Sequence, residues 1–148
     1  MRNLENLRAT GALSIVLNRE NGETTELHLK NLVVASGLNF IVNRMKDPLV
    51  AVMSHMSVGE DTTAAVTGNT DLGSQIVGSR VALTSTAVVD NTITYVATFD
   101  AGVGTGAVTE AGVFNADTGG TMLCRTVFPV VNKQAGDSMT VTWTVTVS

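Results

Sequence analysis

Along much of the chain apolar and polar residues alternate one by one. A β-strand sends alternate residues to opposite faces, so this period of two predicts strands with one buried side. From Ala12 to Asn18, Leu13, Ile15 and Leu17 share a face. Asn21-Gly22 follows, a pair that tolerates positive φ and suits a tight hairpin. Leu27 and Leu29 then alternate with Glu26, His28 and Lys30, completing a predicted β-hairpin. Further strands are predicted at 49–58, 80–86, 92–99, 108–114 and 122–128, with turns at Asp90-Asn91 and Asp117 to Gly120 and with Pro129 blunting the end of the 122–128 strand. The last strand is the clearest: Met139, Val141, Trp143, Val145 and Val147 alternate with four threonines.

One stretch changes period. Between Asn31 and Lys46, Val34, Leu38, Ile41, Val42 and Met45 fall at helical spacing, which predicts a helix with that stripe turned inward. Asn31 is the expected cap, Arg44 and Lys46 suit the C-terminal dipole, and Pro48 ends the helix. Gly37 counts against it by about 1 kcal/mol relative to Ala. Residues 59–70 read as a polar loop. Together these elements predict a mainly β fold, an antiparallel β-sandwich of jelly-roll-like form with one α-helix near residues 31–46. The expected organisation is an N-terminal arm at 1–10 and a single sandwich domain at 11–148.

Composition narrows the function classes. The chain has 148 residues, enough for one ordinary domain. Its 44% hydrophobic content excludes disorder, and its net charge of −4 argues against nucleic acid as a partner. Residues 1–59 carry six cations and five carboxylates, a net of +1; residues 60–148 carry three and eight, a net of −5. The acidic half reads as a β-domain kept soluble by carboxylates and hydroxyls. The longest apolar run, 48–53, is far short of the ~20 residues that span a bilayer, so no membrane partner is expected. No signal-peptide stretch is present, which predicts a protein made and used without secretion.

Candidate chemistry is sparse. His28 is expected on the solvent face of its strand and His55 opposite the core face of its own, neither with metal-ligand spacing to a partner. Cys124 alternates with apolar neighbours and reads as a buried small hydrophobe, with Arg125 pointing the other way. Gly102-Val103-Gly104-Thr105-Gly106 looks like a phosphate loop, but a strand pattern follows it where a helix is needed, so a hairpin tip is expected. Asp90, Asp100 and Asp117 fit turns; Glu110 does not, and is expected to pair with Arg80 or Arg125. No catalytic, cofactor-binding or metal-binding residue is therefore assigned, and no enzyme activity is expected.

Several segments resemble small structural proteins of tailed-phage virions: 37–42, then Met56-Ser57-Val58-Gly59, then Asp71-Leu72-Gly73, and more strongly 92–99, 108–115, 119–128 and 138–147. The likeness covers roughly residue 31 onward and describes a fold, not a site. It implies a capsid decoration, or cement, protein on the outside of an HK97-type phage head, bridging neighbouring major capsid subunits and self-associating as a homodimer or homotrimer. Tail, baseplate or fibre-attachment modules look similar and are the alternative. A second alternative is a carbohydrate-binding module that stacks sugars on Trp143 or Tyr95. The expected location is the virion surface, after synthesis in the host cytoplasm.

Overall fold

A computed structural model describes residues 7–148. Nine strands and one helix follow one another: β1 (Ala9–Asn18), β2 (Thr24–Val33), α1 (Ala35–Lys46), β3 (His55–Gly59), β4 (Val81–Ala82), β5 (Ser85–Val89), β6 (Thr92–Phe99), β7 (Gly106–Phe114), β8 (Met122–Lys133) and β9 (Ser138–Val147). The fold is mainly β, and every pairing is antiparallel. The strands lie in the order β4-β3-β7-β8-β2-β1-β9-β6-β5 and curl into a half-barrel. Two segments make the curl. β2 pairs with β1 over most of its length, then passes to β8 through Leu32 and Val33. The run 81–89 bonds first to β3 and then to β6, so one chain segment joins the two ends of the sheet.

The predicted β1–β2 hairpin is present, with Leu13 opposite Leu29 and Ile15 opposite Leu27. Its turn uses Gly22 at φ 91°, a conformation glycine adopts at no steric cost. The inner faces meet around Trp143, which is fully buried between Leu13 on β1 and Tyr95 on β6. Phe99, Met139, Val141, Met56, Val58, Val113 and Cys124 fill the rest. On the opposite face of β6 and β9 the threonines meet, Thr92 with Thr146 at 3.2 Å and Thr98 with Thr140 at 3.4 Å. β8 runs through Pro129 and does not stop there. Between Val127 and Val131 it bulges away from β7, and this is where a residue without an N–H can sit.

The helix differs from its sequence pattern in three ways. It begins at Ala35, not Asn31, because β2 continues to Val33. Its cap residue is Val34, with no side-chain capping bond. Neighbouring elements supply the partners instead: the Ala35 N–H donates to the Thr67 carbonyl at 2.8 Å, and the Ser36 hydroxyl to the Met122 carbonyl at 2.9 Å. The inward face is Gly37, Phe40, Ile41 and Arg44, while Leu38, Val42 and Met45 face outward. Gly37 explains the rotation. A Cβ there would strike the Leu123 carbonyl, so only glycine lets the helix backbone lie directly on β8. The predicted strand at 49–58 shrinks to β3, and the strand at 80–86 becomes the split pair β4 and β5. Of the expected arm, residues 1–6 lie outside the described residues; Arg8 already bonds Ser148, and Ala9 opens β1.

Candidate functional site

Residues 60–80 form no strand, yet they are held tightly across the outer face of β7 and β8. The cause is Glu110, which the sequence could not place in a turn. Its carboxylate is fully buried, with Oε1 accepting from Arg125 Nε at 3.0 Å and from the Gly73 N–H at 2.8 Å. Oε2 accepts from the N–H groups of Ser74 at 2.7 Å and Asp61 at 3.1 Å. Arg125 then spends its remaining donors on the loop: Nη1 on the Asn69 side chain at 3.0 Å, Nη2 on the Thr63 carbonyl at 3.1 Å and on Asp61 Oδ2 at 3.3 Å. Of the two partners proposed for Glu110, Arg125 is the one that binds it. The Asp61 carboxyl is held below the usual range, first by the Thr63 N–H and further by Arg125.

Arg80 fastens the far end of this strap. Its guanidinium lies 3.5 Å from the centre of the Phe114 ring and donates to the carbonyls of Ala116 and Gly119 and to Gln75. Beneath it Leu72 packs on Val34, Phe114 and Met122. Both Glu110 carboxylate oxygens and all three Arg125 nitrogens have partners, while Arg80 Nε is buried without one; the contacts are spent on holding a long loop in one place.

The other residues singled out in the sequence do not converge. His28 is exposed and touches Glu26 at 3.0 Å. His55 Nδ1 lies 2.8 Å from the Ser54 hydroxyl. Cys124 is buried in the core, and burial pushes its thiol well above the ordinary range. Gly102, Gly104 and Gly106 all have positive φ; a strand follows them as expected, but β6 and β7 are not sheet neighbours, so the segment is a crossover between distant strands and not the expected hairpin tip. Asp90, at φ 51°, makes the expected turn before Asn91. Trp143, fully buried, offers no face to a sugar. Among the described residues no three His, Cys, Asp or Glu side chains gather to hold a metal ion. No helix among them is long and apolar enough to cross a membrane.

Two further features escaped the sequence. A polar crosslink joins the β1–β2 turn to the β8–β9 turn: Arg19 Nη1 meets Asp137 Oδ2 at 3.0 Å, and the N–H groups of Glu20 and Gln134 donate to the same carboxylate. These contacts hold the Asp137 carboxyl below its usual range, the Gln134 N–H most strongly. Between α1 and the end of β6 and β9 lies an apolar groove of about 450 Å³, walled by Phe40, Ile41, Val52, Ile93, Tyr95 and Val145. Burial there raises the Tyr95 hydroxyl to about 12. No family model matches the chain, and neither a curated protein nor a solved structure matches it.

Proposed function

We propose that this protein works as a surface-binding structural component, in the manner of a phage capsid decoration protein that bridges neighbouring major capsid subunits. The observation that carries the reading is the exposed contact surface. β5 is a sheet edge of five residues, Ser85–Val89, all exposed and none charged, without the Lys, Pro or bulge that commonly guards such an edge. Its unpaired backbone suits strand addition from a neighbouring protein. The latched 60–80 loop adds exposed Val66 and Val77 in a fixed position. Many such modest contacts, repeated over a shell, sum to tight binding. The resemblance of residues 31–148 to virion proteins gives the partner class. We read the half-barrel as a compact jelly-roll-like sandwich whose two layers meet at Trp143.

The test is made on the particle. Purified virions should contain the protein in hundreds of copies on the head surface. Heads assembled without it should reach full size but release their genome at lower temperature. A fixed low copy number at the tail would favour the fibre-attachment alternative, and heads as robust as the parent's would remove the decoration reading.

A further inference from the structure

The outer face of α1 carries an apolar stripe beside its polar residues Asn39, Asn43 and Lys46, where a surface helix is ordinarily polar throughout. Leu38, Val42, Met45, Leu49 and Val52 are 45, 64, 82, 89 and 57% exposed. Leu38, Val42 and Met45 recur at steps of four and three, the spacing by which one helix packs along another, and Leu49 and Val52 lengthen the patch past the helix end. Both Leu49 and Val52 lie beyond the helix, Leu49 in a turn that is folded back on it and Val52 just after that turn. Arg44 Nη1 donates to the carbonyls of Pro48 at 3.0 Å and Val50 at 2.8 Å, and the Leu49 N–H donates to Asp47. The patch is therefore set before any partner arrives. Val52 also walls the groove beneath the helix, so the two apolar surfaces are continuous.

We infer that this face is a self-association surface: two copies of the chain pack α1 against α1 antiparallel about a twofold axis near Val42. Area supports a second copy. The five residues expose the equivalent of between three and four whole side chains, at roughly 100 Å² each. A twofold pair would bury on the order of 700 Å² of apolar surface from them. With an apolar share of about 60%, the whole interface reaches about 1,100 Å², past the ~1,000 Å² a specific contact needs. Charge selects the direction. Arg44 and Lys46 sit in the last turn, and the first turn has no acidic residue. A parallel arrangement, including one around a threefold axis, would crowd these cations together. The antiparallel pair sets them apart and opposes the helix dipoles. In that pairing Leu38 meets Met45 of the second copy, and Val42 meets its own equivalent.

The inference deepens the decoration reading and rests on it for the expectation of self-association, but its test is separate. The full chain is sedimented over a concentration series reaching on the order of 100 μM. The expected species has twice the 15.4 kDa chain mass. Val42→Glu and Met45→Glu should each weaken association by about 30-fold or more while leaving thermal melting unchanged, because both side chains are exposed. Val42→Cys should oxidise to a disulfide-linked dimer, with buried Cys124 left unlabelled. A monomer throughout, a trimer, a dimer that survives Val42→Glu, a dimer that Val42→Cys does not bridge, or a patch that binds only another protein would each overturn it. A dimer absent from phage heads would remove the decoration reading alone. A monomer that coats heads would remove this inference alone.

Discussion

At the scale of single residues, burial sets the chemistry. Cys124 sits in the core, where an anion has no solvation, so its thiol is held in the neutral form. Native protein at pH 8 should resist a thiol reagent that labels the urea-unfolded chain at once; rapid labelling of the folded state would contradict this placement. Asp137 titrates with the opposite sign. Its folded pKa lies below the unfolded value of about 3.9, so it stabilises the fold above that value and the stabilisation is lost as pH falls through the folded pKa. Asp137→Asn should therefore melt below the parent at pH 7, and the gap should close as the pH drops below about 4, as followed by circular dichroism. The place of Cys124 was legible from its apolar neighbours. That of Asp137 was not, because its partners Arg19 and Glu20 are more than a hundred residues away in the chain.

At the scale of elements, strict alternation was the readable signal. β6 and β9 lie where their patterns put them, since each buries one face against the same core. The helix was half readable. Apolar residues occur on both of its faces, and spacing alone cannot say which is inward; Gly37 decides, through a close approach to β8 that no periodicity reveals. The 60–80 strap was legible only as a loop, although Glu110 pointed to it by fitting no turn. Glu110→Ala should leave Arg125 without its buried carboxylate, with only Asp61 to balance its charge, and three loop N–H groups without an acceptor, at a cost of about 3 kcal/mol in urea unfolding. Under native conditions the same variant should be cleaved by protease within 60–80 while β1 and β9 stay intact. Unchanged protease resistance would show that the strap's other contacts, those of Arg125, Leu72 and Arg80 among them, hold it without Glu110.

At the scale of the whole molecule, the sheet order β4-β3-β7-β8-β2-β1-β9-β6-β5 depends on contacts between distant parts of the chain, and no local pattern encodes it. β1 enters the centre of the sheet by pairing along its full length with β9. The backbone of Arg8 bonds Ser148 in both directions, at 2.6 and 2.8 Å. A circular permutant that joins residue 148 to residue 1, with residues 1–7 as the connection, and opens the exposed turn at Thr118-Gly119 should fold to the same circular dichroism spectrum and melt within a few degrees of the parent; loss of cooperative melting would contradict the pairing. That adjacency also sets how the molecule can be tethered. A peptide or tag fused after Ser148 therefore leaves the surface beside Arg8, at the corner where β1 begins and β9 ends.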